Sequence, residues 1–546
     1  MAIVNLNKKL FEKEIGKINE KMQDRISMFG TPVEEITSDE IQIEVFPNRP
    51  DLLSYHGFKR AFLGFLGKKP GLKKYATNPP EKDYVVKVES SLKNIRPYTT
   101  CAIIKGLRFD GEKIKEIIEI QEKLHLTIGR KRKKVAIGIY PLEKIKLPIT
   151  FKALEPDKIR FIPLESDKEM SGLEILHQHQ TGTEYAHLLA GKQKFPIFVD
   201  SNNNILSMPP IINSQLIGKI TEKTRDVFVE CSGYDLPTLK KCLNILVTGL
   251  ADMGGKIHQM KVIFKGRNEV TPNLDSEELK ISLENTNKLL GLNLNEKQIK
   301  QLIEKMGYDY NKGNVKIPAW RADILHEVDL IEDVAIAYGY ENFVPEIPEL
   351  PTIGKETQKE IVKRKISEIL VGLNMLEISN YHLTNKNHQF KKMGLKEKDF
   401  VEVEESKTDH TILRKNLTHY LLKTLSENTD SEYPQKVFEI GKIFQNKGEE
   451  IIEKENIAAA ISPGNFTEVK QILEYFSKMI NVKLKFEEST ESPLYFINGR
   501  VIEIFLDDKK IGLIGEIHPR ILKNWKIKMP VSIFEISLEN IFEELI

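Results

Sequence analysis

Five carboxylates fall within the eleven positions 323–333 of the stretch "RADILHEVDLIEDVAIAYGYEN": Asp323, Glu327, Asp329, Glu332 and Asp333. Carboxylate oxygens are the ligands that hard divalent cations prefer, and like charges at helical spacing repel one another. Two chemistries are therefore open, the solvated face of an ordinary helix or the binding of an ion such as Mg2+. The helix rests on Ile324, Val328, Ile331, Ala335 and Tyr338, which recur at three- and four-residue spacing as an inward stripe. Asp329, Glu332 and Asp333 then share the opposite face, with Asp323 at the helix start.

Two further groups have chemical potential. His177, His179 and His187 in "HQHQTGTEYAH" are close in sequence, but no Cys or carboxylate at ligand spacing joins them, so a structural role is expected. The run "GRKRKK" (129–134) is either a solvated strand end or a contact for a phosphate backbone. No phosphate-binding glycine loop, dinucleotide fingerprint or nucleophile elbow is present.

These residues need a scaffold. A chain of 546 residues is too long for one core, so three or four domains are expected. Its 40% apolar and 29% charged residues are those of a soluble globular protein, and no membrane span or signal peptide is expected. Three scattered cysteines fit a cytoplasmic location better than a disulfide framework. With 81 basic and 79 acidic residues the net charge is +2, which points neither toward nor away from a polyanion.

Along the chain, "IQIEVFPNRPDLLSYHGFKRAFLGFLG" reads as a strand, a Pro-bracketed turn and an amphipathic helix capped by Asp51 or Ser54. "YATNPPEKDY" (75–84) reads as a linker. "YVVKVESS", "TCAIIKGL", "KVAIGIY", "FPIFVD" and "DVFVECSG" read as strands, with helices near 113–126 and 236–254. The Pro-Pro segment within "DSNNNILSMPPIINS" (200–214) is irregular backbone of the kind that lines sites. Asn295 caps a helix with Ile299, Leu302, Ile303 and Met306 inward, and Gly307 ends it. "FVPEIPELPTIG" (343–354) reads as a second linker. After it come a helix carrying Ile361, Ile366, Ile369 and Leu370 and a hairpin turning at Asp507-Asp508, which imply an antiparallel sheet flanked by helices.

Four segments, "IEVFPNRPDLLSYHGFKRAFLGFL", "FPIFVDSNNNILSMPPIINSQ", "IPAWRADILHEVDLIEDVAIAYGYENFVPEIP" and "IGLIGEIHPRIL", together resemble the β subunit of phenylalanine–tRNA ligase in its archaeal and eukaryotic form. The resemblance implies a multidomain α+β chain: an N-terminal domain (1–84), an α/β tRNA-editing domain (85–268), a winged-helix-like domain with the acidic helix (269–346) and a degenerate class II synthetase antiparallel-sheet module (347–546). It implies an α subunit in an (αβ)2 heterotetramer, which binds ATP and phenylalanine and charges tRNA(Phe). "LRKNLTHYLL" stands where a catalytic module places its arginine-bearing strand, but no later glycine-rich, arginine-bearing helix follows.

By the same resemblance the magnesium-linked carboxylates fall on Asp323, Asp329, Glu332 and Asp333, leaving Glu327 outside the set. The middle region then hydrolyses tyrosine mischarged onto the tRNA. An apolar pocket rejects an added hydroxyl by only about a hundredfold, so a second site that selects for the hydroxyl is useful. Glu230 and Ser232 are implied to contact the tyrosyl group. Ser207 and Asn213 are implied to line the pocket and place water, and Gln121, Arg130 and Arg132 to sit near the acceptor end. The family pattern has threonines where Ser232 and Tyr234 stand, so the bulkier Tyr234 bears on the pocket's selectivity. Two rivals remain, a stand-alone tRNA-editing protein and a nucleic-acid-binding regulator built on the winged-helix-like unit.

Overall fold

In the computed structural model, which describes residues 2–347, 354–448, 450–489 and 491–546, the chain divides into two compact units, Met1–Ile347 and Pro348–Ile546. Residues 348–353 of the expected second linker lie outside the described residues. Among those described, no helix is long and apolar enough to cross a membrane.

The first unit opens with a three-stranded antiparallel sheet in which Glu40–Val45 is central, between Ala2–Asn7 and Val33–Ile36. Alternation puts Val4, Leu6, Ile41, Ile43 and Val45 on its inner face. Helix Tyr55–Phe65 packs there, and Ser54 is its cap, accepting from the Gly57 amide at 3.1 Å. Asp51 is not the cap: it forms a two-bond pair with Arg49, both contacts 2.9 Å.

The middle region builds an eleven-stranded mixed sheet. Its path runs through Ile212–Asn213, Ile205–Met208, Phe195–Val199, Ile149–Leu154, Val85–Val88, Lys256–Phe264, Tyr98–Lys105, Val227–Gly233 and Val135–Pro141. Every strand expected here from sequence is found; Ile149–Leu154 and Lys256–Phe264 were missed, as were the short strands Ile205–Met208 and Ile212–Asn213 in the segment read as irregular. Helix Leu236–Asp252, capped by Asp235, is buried along most of its length from Leu239 to Leu250. A helix apolar on nearly all sides must be enclosed on nearly all sides. Its Asn244 amide reaches the carbonyls of Asn273 and Ala319, at 2.9 and 3.2 Å.

Residues 277–338 add helices Leu283–Leu290, Glu296–Lys305 and Glu327–Tyr338 around a three-stranded antiparallel sheet, Glu277–Lys280, Asn314–Ile317 and Asp309–Asn311. The expected Asn295 cap and the buried Ile299, Leu302 and Ile303 are present. One hydrophobic cluster runs from Val4 through helix Leu236–Asp252 to Ala337. The three parts of this unit therefore share one core, and the middle region adds two smaller clusters of its own.

The second unit is a seven-stranded sheet, ordered Leu376–Glu377, Gln435–Lys447, Glu450–Ser462, Ser532–Ser537, Lys509–Ile517, Phe496–Leu506 and Leu484–Glu488. All its pairings are antiparallel except that of Leu376–Glu377 with Gln435–Lys447. Helices Gln358–Gly372 and Phe466–Met479 cover it, burying Ile366, Leu370, Val469 and Leu473. Asp507, at positive φ, turns the expected hairpin.

Candidate active site

A cavity of about 580 Å³ opens in the middle region. One wall is a face of helix Gly111–Leu126 carrying Ile114, Ile117, Ile118, Gln121, Glu122 and His125; the Pro209–Asn213 segment, strand Val135–Pro141 and Glu230 complete it. About half of this lining is aliphatic, and Glu165, Thr181, Gln215 and Lys219 also border it. The polar lining groups are those that can discriminate among ligands.

Four of the seven residues expected here line the cavity: Gln121, Arg132, Asn213 and Glu230. Gln121 donates to the Ile137 carbonyl at 2.9 Å. Arg132 bridges the opening, donating to the Ile211 carbonyl at 2.9 Å and to Glu122 at 3.0 Å, with its guanidinium 4.2 Å from the Tyr185 ring centroid. Arg130 is exposed beside it, and Arg130, Lys131 and Arg132 all have positive φ. Such consecutive left-handed non-glycine residues are uncommon and are held only by surrounding structure.

The other two are not lining residues. Ser232 is buried behind Glu230, where Arg96 donates to its hydroxyl at 3.1 Å and to its carbonyl at 2.6 Å. Ser207 is also buried and meets the Tyr140 hydroxyl at 2.8 Å. Tyr234 is not a lining residue: its side chain is 47% exposed and its ring lies by the Arg96 guanidinium. A period-2 strand directs Glu230 and Ser232 to one face and cannot show which is in front.

Glu230 is almost completely buried. Burial pushes its carboxyl up to about 8, against the opposing pull of Arg96 and hydrogen bonds from Tyr140 and Ser232. At neutral pH the group is therefore mostly the neutral acid, a donor. Oε1 meets the Tyr140 hydroxyl at 3.3 Å, and Oε2 has no hydrogen-bond partner. His125 is held neutral: burial lowers its pKa, and its Nε2 accepts the Ile137 amide at 2.8 Å. Tyr140, Arg96 and His125 were missed by sequence reasoning. "KVAIGIY" signals only a strand, and nothing local shows what faces it.

The histidines of 177–187 act locally: His179 bonds the Leu164 carbonyl at 3.0 Å and His187 that of Glu184 at 3.1 Å.

The acidic stretch also departs from expectation. The helix starts at Glu327, not near Asp323. Of the expected stripe, Ile324, Ile331 and Ala335 are buried and Val328 is 49% exposed, while Leu330, Val334 and Ala337 are buried as well. The buried face is wide enough to take in Asp333. Arg321 grips Asp323 with two bonds of 2.8 and 2.7 Å and Asp333 with one of 2.9 Å, and the Tyr308 hydroxyl also bonds Asp333. Asp329 accepts the Leu325 and His326 amides, both at 2.7 Å, as the third-position partner in a capping box whose N-cap is His326. Glu332 alone is exposed, its pKa raised by partial burial and then by Asp333, Asp329 and Asp323.

Asp323, Asp329, Glu332 and Asp333 therefore do not fit a shared Mg2+. Two are neutralised by a guanidinium, one holds backbone amides, and among the described residues no group of three His, Cys, Asp or Glu is placed to hold a metal. Asp329→Ala is expected to cost about 1 kcal/mol through the lost capping box, read as a lower melting temperature. An unchanged or higher value would return Asp329 to a merely repelling face.

Residues 344–538 match the family described as phenylalanyl tRNA synthetase beta chain CLM domain, and 279–340 match the tRNA synthetase B5 domain. The phenylalanine–tRNA ligase beta subunit of Thermococcus sibiricus is 42% identical over 91% of this chain and 90% of its own length. That of Archaeoglobus fulgidus is 39% identical over 100% of this chain and 99% of its own. The crystal structure of an N-terminal fragment of the Pyrococcus horikoshii phenylalanyl-tRNA synthetase beta subunit superposes with a TM-score of 0.59 at 40% identity, covering 62% of this chain and 99% of the fragment. Relatives this similar, matched over nearly their whole length, place the chain in the family of phenylalanine–tRNA ligase beta subunits.

Proposed function

We propose that this chain assembles with a separate α subunit as an (αβ)2 heterotetramer in the cytoplasm. There the α subunit handles ATP, phenylalanine and Mg2+, and the cavity of this chain removes tyrosine from mischarged tRNA(Phe). On this reading residues 1–84, 85–268, 269–346 and 347–546 are the N-terminal, editing, winged-helix-like and degenerate synthetase parts. The observation that carries the editing role is the buried, incompletely bonded Glu230 in a cavity about half of whose lining is aliphatic. A tyrosyl ring fits the aliphatic walls, and its hydroxyl meets a lining carboxyl that has one oxygen without a hydrogen-bond partner. A phenylalanyl ring would leave that group unpaired, at a cost of about 1–3 kcal/mol. Asn213 and Gln121 are among the uncharged polar lining groups available to hold the attacking water. The exposed Arg130, Lys131, Lys133 and Lys134 beside the opening suit the phosphates of the acceptor end.

A structural role for the second unit is supported by Arg414, the arginine of "LRKNLTHYLL". It is fully buried and donates to Glu439, to the Lys442 carbonyl at 2.7 Å and to the Asn380 carbonyl at 3.2 Å. A Cβ on Gly441 would lie 2.2 Å from its Nη2, so the sheet is built around the guanidinium. Held this way, Arg414 has no route to an ATP phosphate.

The pure chain is expected to show no phenylalanine-dependent pyrophosphate exchange, and the coexpressed complex to show equal α and β by native mass measurement and to deacylate preformed tyrosyl-tRNA(Phe). Exchange by the pure chain would overturn the structural role of the second unit. A stable monomer without α would favour a stand-alone editing protein.

A further inference from the structure

Gly138 stands directly opposite Glu230 in the pairing of Val135–Pro141 with Val227–Gly233, and Tyr140 is two residues further along the same face. A Cβ on Gly138 would lie 2.1 Å from the Tyr140 Oη and 2.4 Å from its Cζ. The missing side chain is therefore what lets the phenol ring lie back along its own strand. From there the ring stacks on Phe228, centroids 5.8 Å apart, and its hydroxyl reaches Ser207 at 2.8 Å and Asn213 and Glu230 at 3.3 Å each.

That hydroxyl has one proton to give and lone pairs to accept others. Three oxygen neighbours cannot all be served by one proton, so at least one must donate in return. Ser207 can, and Glu230 can when it carries its proton. We propose that Tyr140, seated by Gly138, is the positioning residue that fixes the Glu230 carboxyl with Oε1 engaged and Oε2 free, and thereby sets the pocket's preference for a hydroxyl-bearing aromatic side chain. This rests on the editing reading above.

The groups that bear on Glu230 are Arg96 behind it, Tyr140 beside it, Cys101 across the neighbouring strand, and Glu122, His125 and Arg132 on the other walls of the cavity. Cys101 is neutral because burial raises its thiol, and His125 is neutral. A change at Tyr140 is therefore read chiefly through Glu230 and Arg96.

The test is Tyr140→Phe in the full αβ complex, which keeps the ring and its contact with Phe228. The expected result is an increase of about tenfold in KM for deacylation of tyrosyl-tRNA(Phe), with weaker discrimination against phenylalanyl-tRNA(Phe). The pH midpoint of deacylation should also move upward, because the phenol's hydrogen bond favours the ionised carboxyl. Ser207→Ala, which frees the phenol from its nearest partner, should shift the midpoint too and decides the matter if Tyr140→Phe does not fold. Wild-type KM and an unmoved midpoint in a folded Tyr140→Phe complex overturn the positioning role while editing stands. A wild-type complex that fails to deacylate tyrosyl-tRNA(Phe) instead overturns the editing reading, and this proposal with it.

Discussion

Glu230→Gln is expected to remove most of the pH dependence of unfolding of the first unit between about pH 5 and about pH 8. In the folded protein the carboxyl keeps its proton to about 8, because burial penalises the charged form. In the unfolded chain it releases the proton near the ordinary glutamate value of ~4.3. Between those limits the native state binds one proton more, so stability is greatest below the lower limit and falls as pH rises through the upper one. The full loss is roughly 5 kcal/mol, at about 1.36 kcal/mol per unit. Glutamine keeps the shape and cannot ionise, so the variant should match the wild type near ~pH 5 and melt higher above ~pH 8. Parallel melting curves across that range check it; identical slopes for both proteins would mean that Glu230 ionises normally. Editing separates the two roles of the group further. Gln can still donate a hydrogen bond, so Glu230→Gln should retain much of the tyrosyl-tRNA deacylation at neutral pH. Glu230→Ala should lose about 10- to 100-fold in kcat/KM, with phenylalanine charging nearly intact. If deacylation by Glu230→Ala is undiminished, the residue has no part in the site.

Arg321→Met is the second large effect, an expected loss of about 3–5 kcal/mol. Arg321 is the counterion of two carboxylates, Asp323 and Asp333, and the neighbouring Arg49–Asp51 pair lies within its field. Methionine fills much of the volume but leaves both acids uncompensated, one of them almost wholly enclosed. Denaturant unfolding measures the loss, and adding Asp323→Asn and Asp333→Asn should recover more than half of it. A loss below about 1 kcal/mol would mean that the carboxylates are compensated by something other than Arg321. The experiment also separates the two chemistries open to the acidic stretch. Carboxylates whose partner is a metal ion would tolerate loss of the arginine in Mg2+ and respond to chelation instead.

What the sequence revealed and what it hid follow from the range of each interaction. Helix ends were legible where a cap acts within three residues, as at Asn295 and at Ser54, one of the two candidates for its helix. At the acidic stretch the pattern found Ile324, Ile331 and Ala335 but not the width of the buried face. Leu330, Val334 and Ala337 are buried too, and a face that wide encloses Asp333, which a narrow stripe placed outside. The cavity gathers Gln121, Arg132, Asn213 and Glu230 from four segments, which only resemblance to a family brought together. Tyr140 stayed hidden because its role depends on cross-strand register and on the absence of a side chain at Gly138. Neither leaves a local signal. Arg414 was noticed as a residue type, but its enclosure by Glu439 and Gly441 is a long-range fact.

Helix Leu236–Asp252 has a bearing on how genetic variants of this protein are to be interpreted. Because its sides are packed against several parts of the first unit, those parts should melt together and not one after another. A substitution that loosens the helix, such as one at Leu243 or Leu246, should lower the abundance of the whole polypeptide in a cell and not the fidelity of one reaction. Mistranslation and slow growth would then rise together in such a strain. A clean loss of fidelity, with protein levels intact, should map instead to side chains at the cavity whose removal leaves that helix undisturbed.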